Sequence, residues 1–148
     1  FVEYVRRGAF TRSLAAGGDV VAMVHHRPEL VLGRGSAGTL TLAEDGKGLA
    51  FDVELPATQA GRDVATSVSR GDIRGASFGF TVPKGGDRWT SGESRAVREL
   101  LDVDLFDVTV TAMPAYPDTE VAKRTLAALH GRPRLALARR YLDTTGGA

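Results

Sequence analysis

The sequence predicts a mainly β protein of the α+β class: an antiparallel β-barrel of about six to seven short strands, with a central helix and C-terminal helices. Three features lead there. Short apolar or alternating segments recur with Gly, Pro and Asp between them. One hairpin is written out by alternation on both sides of an acidic, glycine-containing turn. Helical periodicity is confined to one central and one C-terminal stretch. The regular strand–helix rhythm of a doubly wound parallel sheet is missing.

Gly8 to Leu14 reads as a short helical turn that Thr11 or Ser13 caps, and Gly17-Gly18 breaks the chain after it. Val20 to Val24 is an apolar run too short for a helix, hence a strand buried on both faces. Val31-Leu32 is a second short strand, ended by Gly33. Thr39 to Leu42 alternates strictly, Glu44-Asp45-Gly46 turns, and Leu49 to Leu55 returns until Pro56 stops it, lacking a donor and fixing its own backbone angle. From Thr58 to Ser69 the pattern is helical: Val64 and Val68 share a face while Gln59, Arg62 and Asp63 stay wet. A strand is expected from about Ile73 to Val82, another over Asp87 to Thr90, and a long extended stretch over Val97 to Thr111, closed by Pro114 and Pro117. Thr119 to Leu129 and Leu135 to Leu142 are expected to be helices around a break at Gly131-Arg132-Pro133.

The 148 residues suit one domain with one sizeable core. With 19 basic and 18 acidic residues the net charge is +1, so no global field points to nucleic acid or an anionic membrane. Cysteine is absent, which excludes disulfides, thiolate catalysis and cysteine-ligated zinc and is compatible with a reducing cytoplasm. No apolar run reaches the ~20 residues of a membrane helix. The first residues do not read as a charged-then-apolar signal peptide. Because Phe1 already lies inside a patterned segment, further residues are expected upstream of it.

Gly75-Ala76-Ser77-Phe78-Gly79 holds the candidate nucleophile. Alternation puts Ala76, Phe78, Phe80 and Val82 on one face and Ser77, Gly79 and Thr81 on the other. Flanking glycines leave room for a carbonyl to approach the hydroxyl. The same five residues also fit a small polar residue on a crowded strand. Serine needs a base, and the chain offers His25, His26 and His130. His25 and His26 end the run Val20 to Val24, where adjacent strand residues point to opposite sides, so at most one faces a given cleft. His130 reads as an exposed helix-end residue. A third group must hold the base's tautomer. Phe106, Val108, Val110 and Ala112 form one expected face, and Leu105, Asp107, Thr109 and Thr111 the other; Asp107 is thus an acid in mid-strand, with Asp102 and Asp104 as rivals. Metal catalysis is not expected, since adjacent histidines chelate poorly on a strand and no H-E-x-x-H spacing exists.

In order along most of the chain, these segments resemble the tailed-phage prohead (capsid-maturation) serine proteases, which share a barrel fold with herpesvirus assembly proteases. The resemblance is carried by Gly8-Ala9-Phe10 through Leu14, by His26 with Pro28 and Val31-Leu32-Gly33-Arg34, and by Gly38-Thr39-Leu40 with Gly48-Leu49. Ile73 through Phe80 and Phe106-Asp107-Val108-Thr109 through Pro114-Ala115-Tyr116-Pro117 complete it. It implies Ser77 and His26 as catalytic residues and Asp107 at the acidic position, where the family more often has glutamate. Arg27 stands where the family commonly has Asp or Asn. The family's strand preceding Phe1 is absent from these residues. The resemblance further implies a protease barrel over 1–122 and a basic helical segment over 123–148, packed on the barrel or binding a partner. The implied activity is limited proteolysis of capsid precursor and scaffold polypeptides inside the prohead, in the host cytoplasm or from a prophage, often with self-cleavage. No cofactor, nucleic acid or membrane is implied, and self-association into a homo-oligomer stays open.

Two other readings remain. An α/β-hydrolase would use Ser77, Asp107 and His130 in that chain order, although a helix should then follow the serine. A non-catalytic scaffold- or shell-binding domain would use Lys123, Arg124, Arg132, Arg134, Arg139 and Arg140 with the leucines among them.

Overall fold

The computed structural model describes residues 1–115, 119–125 and 133–139. Strand β1 (Val2–Val5) leads to a one-turn helix α1 (Thr11–Ala15), then β2 (Val21–Val24), β3 (Arg27–Arg34) and the hairpin β4 (Leu40–Asp45) and β5 (Gly48–Glu54). Helix α2 (Gln59–Arg70) precedes β6 (Gly75–Thr81), β7 (Asp87–Ser91), β8 (Ala96–Leu100) and β9 (Asp104–Thr111); β10 (Thr119–Thr125) and β11 (Pro133–Arg139) follow. Three sheets result, ordered β1-β8-β7, β10-β11-β5-β4 and β3-β2-β9-β6.

The protein is mainly β with few helices, as expected, but two details of the expected barrel change. Among the described residues the pairings do not close into a barrel, and they are not all antiparallel: β1 runs parallel to β8, and β2 parallel to β9. The extended stretch Val97 to Thr111 is two strands in different sheets. The amides of Leu101 and Asp102 both donate to the Gly86 carbonyl, which takes the chain out of one sheet before Asp104 enters the other.

Helix α2 begins where the pattern places it, and Thr58 caps it: the Thr58 hydroxyl accepts from the Gly61 amide at 3.2 Å, and Gly71, at φ 81°, ends the helix in the left-handed conformation that glycine adopts without strain. Val64, Ala65 and Val68 are its buried face. Helix α1 differs, since Phe10 occupies the cap position and no side chain caps it. Phe10 is instead fully buried, its ring edge-on to Phe78 at 5.1 Å. Burial of that ring holds the first turn together with the Glu44 carboxylate, which accepts from the Gly8 amide at 2.9 Å and the Thr11 hydroxyl at 2.6 Å.

The C-terminal helices expected over Thr119 to Leu129 and Leu135 to Leu142 are strands where the structure describes them. β11 pairs antiparallel with β5, Leu135 opposite Val53 and Leu137 opposite Phe51, and β10 pairs with β11 along its length. Alanine, leucine and arginine favour a helix locally. The open edge of β5 offers hydrogen bonds to a whole strand, and this long-range pairing overrides a preference worth a few tenths of a kcal/mol per residue. Residues 126–132 and 140–148 lie outside the described residues, with His130, Arg132 and Arg140 among them.

One core serves all of this: Ala22, Val24 and Leu32 from β2 and β3, Ala76, Phe78, Val108 and Val110 from β6 and β9, and Leu49, Phe51 and Val53 from β5 belong to a single buried cluster. β3 and β5 approach so closely that a Cβ on Gly33 would lie 2.5 Å from Val53 Cγ2. Among the described residues no helix is long and apolar enough to cross a membrane.

Candidate active site

The site lies on the outer face of the sheet β3-β2-β9-β6, with β9 at its centre. Antiparallel register places Ala76 opposite Val110 and Phe78 opposite Val108, all on the core side; Ser77 is opposite Thr109, and Gly79 opposite Asp107, on the outer side. The register then shifts between Gly79 and Phe80, so that Phe80 meets Leu105 and Phe106 has no partner in the ladder. The faces expected beyond this point are therefore exchanged: Leu105 is buried, whereas Phe106 is 51% exposed.

His25 and His26 are not strand residues. They are the two central residues of the hairpin between β2 and β3, both at positive φ (52° and 55°), with Val24 paired to Arg27 across the turn. Such a two-residue turn normally takes Asn-Gly or Asp-Gly. Holding two histidines there costs on the order of 1–2 kcal/mol each. Hydrogen bonds to β9 offset this: the His25 amide donates to the Val110 carbonyl at 3.0 Å, and the His26 amide to Thr109 Oγ1 at 2.8 Å. The Thr109 hydroxyl in turn donates to the Met23 carbonyl at 3.0 Å. Both imidazoles consequently reach the same face of β9, contrary to the expectation that only one would: His25 Nδ1 is 2.9 Å from Thr111 Oγ1, and His26 Nδ1 is 2.8 Å from Asp107 Oδ1. Turn geometry replaces strand alternation.

The Asp107 side chain is 5% exposed and that of His26 is 43% exposed. Burial pushes the Asp107 carboxyl above its ordinary range, opposed by the nearby His26 and by the Gly79 amide, which donates to it. An ionised carboxylate only accepts, so Nδ1 of His26 carries the proton of this bond and Nε2 keeps a free lone pair. A bond of this kind holds the ring in one orientation. Asp102 and Asp104, the rival acids, both pair with Arg12, at 2.7 and 2.5 Å.

Ser77 lies one strand away from Asp107's row, directly across from Thr109, whose hydroxyl holds the turn bearing His26. It is 7% exposed, and among the described residues no hydrogen bond joins it to His26. Sequence reasoning passed over the amide of Gly79 and the roles of Thr109 and Thr111. Their signal was present, since two threonines share Asp107's face in mid-strand.

The profile of the caudovirus prohead serine protease family matches residues 1–131 of the 148. The chain belongs to that family. No curated protein and no solved structure matches. As a member of the prohead serine proteases, the chain falls among serine peptidases of phage capsid maturation, with capsid proteins as the family's substrates. The hydrolase alternative does not fit: Ser77 is in mid-strand, and β6 leads through a loop to β7, not into a helix. His130, its proposed base, lies outside the described residues.

Proposed function

We propose that this chain is an active endopeptidase that cleaves scaffold and major capsid precursor polypeptides inside the prohead within the infected host, and cleaves itself. Ser77 is the nucleophile, His26 the base and Asp107 the group that orients it. Ser77 Oγ bonds to the peptide carbonyl carbon as its proton passes to His26 Nε2. That proton then goes to the departing amine as the C–N bond breaks. Water, deprotonated by the same nitrogen, hydrolyses the acyl-enzyme and returns the proton to Ser77. The observation that carries the reading is the buried Asp107 bonded at 2.8 Å to a half-exposed imidazole whose second nitrogen has no hydrogen-bond partner among the described residues.

The missing Ser77–His26 hydrogen bond does not count against it, because such bonds are commonly long or poorly aligned without substrate. The near-burial of Ser77 favours the second reading, a scaffold-binding domain without turnover. A serine-directed fluorophosphonate separates the two. Labelling of wild type but not of Ser77→Ala, together with a loss of about 10⁶ in turnover for Ser77→Ala, supports the peptidase. Unlabelled Ser77 in the full chain supports the binding domain, and full activity in Ser77→Ala ends the peptidase reading.

A further inference from the structure

We infer that the cleft beside His26 is the subsite for one large apolar side chain of the substrate polypeptide, next to the scissile bond. This rests on the peptidase reading of the same site. A cavity of about 570 Å³ has His26 and Asp107 in its lining, with Met23, Pro28, Val31 and Phe106 as its apolar walls. That volume lies in the ordinary range for ligand sites. Whatever reacts at His26 must occupy this space, so the occupant is the substrate chain itself.

Three observations give its chemistry. First, Val31 is 40% exposed and Phe106 is 51% exposed, and both line this one cavity with the imidazole. Single exposed apolar residues mean little, but two around one reactive group make an apolar mouth. Second, Phe106 is there because of the register shift opposite Gly79 and Phe80, which turns it out of the core. Bulges beside active sites re-aim side chains in this way. Third, the charged groups in the lining besides the histidine are already partnered: Arg34 with Asp19 at 3.2 Å, and Asp107 with His26 at 2.8 Å. A charged substrate side chain would have to compete with these pairs, whereas an apolar one would cover the exposed Val31 and Phe106. Gly79, also in the lining, is two residues along β6 from Ser77 on the same face, about 7 Å by strand rise. This separation suits a residue flanking the bond that Ser77 attacks.

The test uses capped glycine–serine peptides that carry a central leucine, alanine or aspartate. Their cleavage by the wild-type full chain is followed, and their binding to the full-length Ser77→Ala protein is measured calorimetrically. Leucine should exceed alanine and aspartate by at least ~10-fold in both measurements, the scale on which methylenes are discriminated in a hydrophobic pocket. Phe106→Ala and Val31→Asp, both at exposed positions, should reduce that ratio to below ~3-fold in the Ser77→Ala background. Equal binding of the three peptides, no binding at all, or a ratio unmoved by both substitutions overturns the subsite, even if wild type takes up fluorophosphonate. Leucine-selective binding without labelling or cleavage supports the subsite and removes the peptidase reading instead.

Discussion

Gly79→Ala would misplace the catalytic acid without touching it chemically. A Cβ at Gly79 would lie 2.8 Å from Asp107 Cγ, 2.5 Å from Phe106 Cε2, and inside the contact sphere of Asp107 Oδ2. Carbon atoms rest at about 3.5–4.0 Å, so each neighbour must give by roughly 1 Å. Phe106 is half exposed and free to swing, but Asp107 is 3% exposed and held by His26, so the carboxylate takes the strain. Displacement by 1 Å costs about 10² in turnover, and complete loss of the orienting acid about 10⁴. We therefore expect kcat for peptide cleavage to fall between those limits, with overpacking costing about 1–3 kcal/mol of stability. The readout specific to positioning is the His26 Nδ1 proton, which should resonate far downfield in wild type, where it is shared with a buried carboxylate, and should move upfield in the variant. Turnover within about threefold of wild type, with that proton unmoved, refutes the reasoning.

Asp107→Asn should lower kcat by up to about 10⁴, measured on the same peptides, because the amide no longer stabilises the imidazolium. The pH dependence of stability has a definite sign. Burial raises the Asp107 carboxyl above its ordinary value, so the native protein holds that proton more tightly than the unfolded chain. The stabilisation this gives is full below the unfolded value and is lost as pH rises through the folded one. Urea unfolding from about pH 3 to about pH 6 should show wild type losing ground to Asp107→Asn; a flat or opposite difference would contradict this. Glu99 behaves in reverse: Arg6 and then Arg88 hold its carboxyl below the usual range. Glu99→Gln should thus destabilise the protein at neutral pH, and the difference should close as pH falls through the depressed value, as the same denaturation series reports.

The residues of the candidate site stand out in the sequence because they break local rules. An aspartate in the middle of a β-branched strand and a serine between two glycines both go against strand preference, and each pointed to its position. The hairpin over Leu40 to Glu54 was legible from alternation and turn residues, and helix α2 from the spacing of Val64 and Val68 against its polar residues. What escaped depends on partners distant in sequence. Alternation alone cannot announce a register shift, so Phe106 was assigned to the core and Leu105 to the outer face. Two histidines do not look like a tight turn, and only the hydrogen bonds from β9 make that turn affordable. The stretches over 119–125 and 133–139 look helical until the edge of β5 is known to need a partner.

These failures share a cause with the site's architecture. His26 and Asp107 are 81 residues apart and meet because β2 lies parallel to β9, while Ser77 arrives from the opposite side on β6. The three proposed residues are held on paired strands and on the turn that β9 supports, which leaves the imidazole and the serine hydroxyl as the parts with rotational freedom. Buried Asp107 fixes one nitrogen of His26; the other keeps access to solvent and cleft. In the proposed mechanism the Ser77–His26 hydrogen bond forms by rotation of these two side chains. An occupied apolar cleft beside the ring would favour that rotation, since a side chain filling the space next to His26 leaves the imidazole fewer alternatives. Peptides filling the cleft should therefore raise kcat as well as lower KM, because binding energy used to align reacting groups appears in turnover.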